Sequence, residues 1–192
     1  MPWKPLPASM VRVLERHRGV PIVERTGVIH DVMVKTYLKH TDQRGFFVEQ
    51  LKRGDVDDRG RPFSPPGEFA QMSRSLAYAR GGNPPELIKA FHWHEKQWDY
   101  WDIVAGNARV VLVDLREGSP TEGVVQTLML GDNAPRMVAI PPLVAHGYQA
   151  VDLRDVVLCY YVTEPYDPKN PDEGRIAWDD ERIGFDWSIQ NI

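Results

Sequence analysis

Two histidines two residues apart, His92 and His94, stand in the run His92-Trp93-His94-Glu95-Lys96-Gln97-Trp98-Asp99-Tyr100-Trp101-Asp102-Ile103. Imidazole changes charge near neutral pH, so it serves as a general base, a general acid or a metal ligand. The aromatic content of the run favours strand over helix. On a strand, residues i and i+2 share a face, so both imidazoles address one pocket. A third histidine, His146, follows the rigid Pro141-Pro142 pair in Ile140-Pro141-Pro142-Leu143-Val144-Ala145-His146-Gly147-Tyr148 and falls at a strand start. We read these two segments as facing walls of one site. Tyr160 and Tyr161 are neighbours on the apolar stretch 156–162, so one of them faces the site and the other packs.

The elements that must position these side chains are short. Ala8 to Arg18 puts Met10, Val13 and Leu14 at helical spacing, with Gly19 as a stop. From Gly27 to Leu51 the pattern turns to strands, with a turn at 41–45 before Phe46-Phe47-Val48-Glu49-Gln50-Leu51. The polar piece from Arg53 to Glu68 reads as a surface loop. Candidate strands follow at 69–75, 88–92, 103–105, 109–114, 124–130, 136–140, 147–151 and 156–163. The loop 80–85 separates the first two of these, and Gly106-Asn107 reads as a hairpin. The stretch 156–162 is apolar on both faces, as in a strand covered on each side. Aromatics between Trp178 and Trp187 are expected to seal one side of a sheet. Many short strands and few helices mean a β-sandwich or barrel.

The chain has 192 residues, 42% of them hydrophobic, and a net charge of -4. That length favours one domain with a substantial core. Mixed charges without a basic run argue against a nucleic-acid partner. The single cysteine, Cys159, forms no intrachain disulfide, and the start lacks the apolar core of a signal peptide, which fits a cytoplasmic protein. No apolar run has the length to cross a bilayer, so no membrane role is expected.

Six segments in order carry a resemblance: Asp42-Gln43-Arg44-Gly45-Phe46-Phe47-Val48-Glu49, Lys89-Ala90-Phe91-His92, 114–121, Ile140 to Tyr148, Tyr160 to Pro168, and Trp178-Asp179-Asp180 with Asp186-Trp187. From about Gly27 to Trp187 the chain resembles the dTDP-4-dehydrorhamnose 3,5-epimerase family of cupin-fold nucleotide-sugar epimerases. The resemblance implies an all-β cupin jelly roll over 27–187, with a helical N-terminal arm over 1–26 and a short tail over 188–192. It implies a homodimer without a cofactor, acting on a nucleotide-linked 4-keto-6-deoxy sugar. Proton abstraction beside the ketone would fall to His92 and proton return to Tyr160, with His146 steadying the enolate oxygen. Arg44, Glu49, Gln71, Ser73, Lys89, His146 and Glu173 fall where family members contact substrate. Arg44 and Lys89 are the expected partners of the phosphates.

The chain departs from that family at several points. Ser73 stands where asparagine is usual, Lys89 for arginine and His94 for glutamine. Asp99 falls where a substrate-binding lysine is expected. The family's base-orienting aspartate near the C-terminus has no counterpart, so His92 needs another partner. The departures create a rival. His92-x-His94, then Asp99, Gly106 and His146, resembles the metal-site pattern of the wider cupin superfamily, with a divalent transition metal on His92, His94, Asp99 and His146. A third reading is a non-catalytic sugar-nucleotide-binding module.

Overall fold

The computed structural model describes residues 3–79 and 87–188, so the loop expected at 80–85 lies outside the described residues, as does the tail beyond Ser188. The N-terminal helix forms as α1 (Ala8–Arg16) and buries Met10, Val13 and Leu14, the three residues at helical spacing. A short helix, α2 (Ile22–Arg25), follows it and has no counterpart in the sequence reading.

Twelve strands follow among the described residues: β1 (Met33–Thr36), β2 (His40–Asp42), β3 (Gly45–Phe47), β4 (Gln71–Ala77), β5 (Ile88–Trp93), β6 (Asp99–Ala105), β7 (Asn107–Asp114), β8 (Val125–Gly131), β9 (Arg136–Ile140), β10 (Val144–Ala150), β11 (Val156–Val162) and β12 (Gly174–Arg175). They make two five-stranded antiparallel sheets, ordered β1-β9-β6-β11-β4 and β12-β5-β10-β7-β8, with β2-β3 as a separate hairpin. The expected all-β sandwich is the fold that forms. No described helix is long and apolar enough to cross a membrane.

Alternation along each strand sorts side chains into three apolar layers. Between the sheets, Trp101, Ile103 and Leu158 of the first meet Val110, Leu112 and Tyr148 of the second. Behind the second sheet, Phe91, Trp93, Val111 and Val113 pack on the α1 residues and on Ile183 and Trp187, so the C-terminal aromatics do seal a sheet face. Behind the first sheet, Tyr100, Met137 and Ala139 pack on Phe63 and Phe69. Phe63 belongs to the segment read as surface loop. Its ring stands edge-on to Tyr100 at 5.3 Å and is fully buried, so this segment is in part a lid on the core.

Two further expectations need correction. Gly106-Asn107 does not close a hairpin, because β6 and β7 lie in different sheets. Gly106 adopts φ 74°, and a Cβ there would stand 2.5 Å from the Asp155 carbonyl oxygen, so glycine is required where the chain crosses between layers. The strand expected to run to Leu51 stops at Phe47. Arg116 pairs with Asp114 at 2.8 Å and Asp31 at 3.1 Å, a structural role.

Candidate active site

The three histidines meet at one end of the sandwich, though not as facing walls. β5 and β10 are adjacent strands of the same sheet, and His92 is the register partner of His146. The opposite wall comes from the other sheet, where alternation turns Asp99 and Trp101 on β6, and Tyr160 on β11, toward the gap. Tyr161 faces the other way and packs on Phe69. Between the walls lies a cavity of about 440 Å³, lined by His92, His94, Trp101, His146, Tyr160 and Glu173 among others.

His92 is oriented by Glu173, whose Oε1 lies 2.7 Å from Nδ1. Gly174 and Arg175 form β12 against β5, pairing with Trp93 and His92, and this brings Glu173 alongside the imidazole. Burial disfavours the Glu173 carboxylate, but the hydrogen bond and charge of His92 prevail and hold it below the usual glutamate range. With Nδ1 engaged, Nε2 of His92 is left for the cavity. Among the described residues the partner of His92 is therefore Glu173, which sequence reasoning had placed only as a substrate contact.

Asp99 crosses from its sheet to the imidazoles of the other. Its Oδ2 lies 3.1 Å from His94 Nε2 and 3.0 Å from His146 Nε2, while Gln97 donates to Oδ1 at 2.8 Å. The two rings stack with centroids 5.4 Å apart, and Trp101 stands edge-on to His146 at 4.9 Å. Burial opposes the charge of Asp99, yet the two histidines keep its carboxyl below the ordinary aspartate range. Burial likewise opposes the imidazolium of His94, but Asp99 outweighs it and pushes that group up to about 9. His146 is lowered, because burial dominates. Asp99 thus ties the sheets together through the histidines. Its grip on His146 Nε2 also means that His146 reaches a sugar oxygen only by leaving Asp99.

Of the expected substrate contacts, Gln71 lines the cavity, and its amide donates to Ser73 Oγ at 2.8 Å, which keeps Ser73 just behind the wall. Lys89, Arg44 and Glu49 are not brought to the cavity. Lys89 spends its ammonium on Ser75 Oγ at 2.9 Å and the Leu76 carbonyl at 2.7 Å, and burial lowers its pKa. Arg44 sits on the solvent-exposed β2-β3 hairpin beside Asp42, and Glu49 pairs with Lys52 at 2.7 Å. Among the described residues, the arginine that lines the cavity is Arg175, which sequence reasoning missed. It lies 3.2 Å from Glu173 and stacks 3.6 Å over the ring of Trp3. No motif marks it; only the pairing of β12 with β5 puts it there.

Known proteins are similar to this chain over most of its length. The family model for dTDP-4-dehydrorhamnose 3,5-epimerase matches residues 26–192. The spore coat polysaccharide biosynthesis protein SpsL of Bacillus subtilis is 42% identical over 163 residues, covering 85% of this chain and 99% of that protein. The dTDP-4-dehydrorhamnose 3,5-epimerase of Methanothermobacter thermautotrophicus is 30% identical over 155 residues, 80% of this chain and 77% of its own length. Among solved structures, NovW of Streptomyces spheroides, a 4-keto-6-deoxy sugar epimerase, superposes with a TM-score of 0.69 at 29% identity, covering 86% of this chain and 78% of that one. A β-sandwich matched by a family model over residues 26–192 and by relatives at up to 42% identity places this chain in the dTDP-4-dehydrorhamnose 3,5-epimerase family.

Proposed function

We propose that the protein is an isomerase that epimerises a nucleotide-linked 4-keto-6-deoxy sugar at a carbon next to the ketone. The observation that carries this reading is the placement of His92, its Nδ1 held by Glu173, on one wall of the cavity, with Tyr160 on the other. Inversion needs a base on one face of the sugar and an acid on the other. Glu173 accepts a hydrogen bond from Nδ1–H, which fixes the tautomer and leaves the Nε2 lone pair to remove a proton beside the ketone. Tyr160 returns one from the opposite side. These proton transfers need no cofactor. Arg175 offers the guanidinium fork for the diphosphate, in place of Lys89.

A homodimer in the cytoplasm is part of the same proposal. The hairpin exposes Phe46 and Phe47, Leu38 beside it is exposed, and edge strand β4 turns Met72 and Leu76 outward. Apolar residues on an unpaired edge favour cover by a second copy. The lone free cysteine suits a reducing compartment.

Incubation with dTDP-linked and other nucleotide-linked 4-keto-6-deoxy sugars in D2O tests the activity. Deuterium entering at carbon 3 or 5, with inversion, is the expected result. A protein that binds these compounds but leaves their hydrogens unexchanged is a binding module, and the proposal fails.

A further inference from the structure

His94, Asp99 and His146 form a second cluster beside the base, and hydrogen-bond accounting leaves it incomplete. His94 turns Nδ1 to the carbonyl oxygen of Asp172, and His146 turns Nδ1 to that of Val144 at 2.9 Å. A carbonyl only accepts, so in each ring the N–H sits on Nδ1. Each Nε2 then presents a lone pair, and both are aimed at one carboxylate oxygen, Asp99 Oδ2. Three acceptors converge at hydrogen-bond distance. A single proton fills one of the two gaps and leaves the other lone pair against lone pair. Two protons would leave a net positive charge in a site where all three residues are buried.

One cation fills both gaps at once. Bonds of about 2.0 to 2.2 Å to nitrogen and oxygen put neighbouring ligands on one ion about 3.0 to 3.4 Å apart. The 3.0 and 3.1 Å separations fall in that range, and all three donor atoms lie within 4.8 Å of one another. The surroundings fix the donors as a metal site requires. Each imidazole is held at Nδ1 by a carbonyl, and Gln97 holds the other carboxylate oxygen. The turn carrying His94 is pinned because the Asp172 carboxylate accepts the backbone N–H groups of Glu95, Lys96 and Gln97.

We propose that His94, Asp99 and His146 bind one divalent first-row transition metal through Nε2, Oδ2 and Nε2, with His92 outside the coordination sphere because its ring stands apart from the cluster, 6.4 Å from that of His146 between centroids. Two imidazoles and one carboxylate suit Zn²⁺, Fe²⁺, Mn²⁺, Co²⁺ or Ni²⁺, and exclude a preference for Ca²⁺ or Mg²⁺. The remaining coordination positions open toward the cavity, which all three residues line. The inference stands on these donors and does not depend on the epimerase reading.

The test is metal content after chelation, reconstitution with Zn²⁺, Co²⁺, Mn²⁺, Fe²⁺ or Ni²⁺, and desalting. About one ion per chain is expected for the unmodified protein and for His92→Gln, with a raised Tm and visible d–d absorption for the Co²⁺ form. Asp99→Asn and His94→Gln should retain none while keeping the far-ultraviolet dichroism of the fold. Failure of the unmodified protein to take up any of the five ions overturns the inference, whether or not the variants fold, and leaves a proton-shared cluster. Retention by both folded ligand variants, or loss from His92→Gln, overturns the ligand set. Deuterium wash-in separates this from the proposed activity. Exchange without metal uptake sinks the metal site alone, and metal uptake without exchange sinks the epimerase alone.

Discussion

Glu173 Oε1 lies 2.7 Å from Nδ1 of His92, and the strand that delivers the glutamate pairs with the strand that carries the histidine. The two side chains act as one unit, so their substitution should divide kinetic constants in a characteristic way. Glu173→Ala should lower kcat about 10- to 100-fold, the usual cost of losing an orienting partner, with KM little changed. Steady-state kinetics decide between roles: a raised KM at unchanged kcat would make Glu173 a substrate contact instead.

His92→Ala should reduce turnover by about 10²- to 10⁴-fold or more, the range for a positioned acid–base group. Tyr160→Phe should retain some deuterium wash-in while inversion slows, because abstraction and return occur on opposite walls. Measuring both quantities on both variants checks the assignment. Equal loss of wash-in in the two variants would count against it.

Arg175→Ala should weaken sugar-nucleotide binding about tenfold or more, the size of a charge-assisted hydrogen bond. Lys89→Ala should leave affinity near its starting value, since its ammonium already serves Ser75 and Leu76. Calorimetric titration with dTDP compares the two.

Light scattering at micromolar concentration should give a mass near twice the 22.0 kDa of one chain. Replacing Phe46 and Phe47 together with serine should shift the mass toward a single chain if the hairpin is covered by a second copy.

Asp102 gives the stability a pH dependence of its own. It is buried on the outer side of β6 and accepts a hydrogen bond from Gln50 at 2.6 Å, and burial pushes its carboxyl from 3.8 up to about 6. The folded state therefore holds a proton that the unfolded state has released between pH 4 and 6. Stability should be greatest below about pH 4 for this group, fall as pH rises to 6, and level off above, by on the order of 3 kcal/mol at most. Thermal melts of Asp102→Asn, which cannot ionise, should lack that slope.

Much of the site was legible because strand alternation is a local rule. The shared face of His92 and His94 followed from it, as did the division of Tyr160 and Tyr161 into one that faces the site and one that packs; the choice of Tyr160 came from the family resemblance, and the burial of Met10, Val13 and Leu14 followed from helical spacing. What depended on which strands pair was not legible. Arg175 and the orienting role of Glu173 rest on a two-residue strand too short to leave a periodic signal. His92 and His146 proved to be neighbours on one sheet because register is set by tertiary pairing. Gly106 looked like a hairpin glycine, and the same positive φ served instead for a crossing between layers. Lys89 was assigned by analogy to a phosphate, but β4 offered its ammonium closer acceptors.

Lys4 reaches the carboxylates of Glu95 and Asp172 at 2.7 and 3.1 Å, and its backbone N–H donates to the Glu173 carbonyl at 3.0 Å. The residue thus braces, from outside the span 26–192 that the family model matches, both the turn bearing His94 and the backbone of the glutamate that steers His92. The end of the sandwich that holds the three histidines is thus braced in part by residues ahead of the matched span, and an affinity tag or truncation at the amino terminus here is expected to disturb that scaffold.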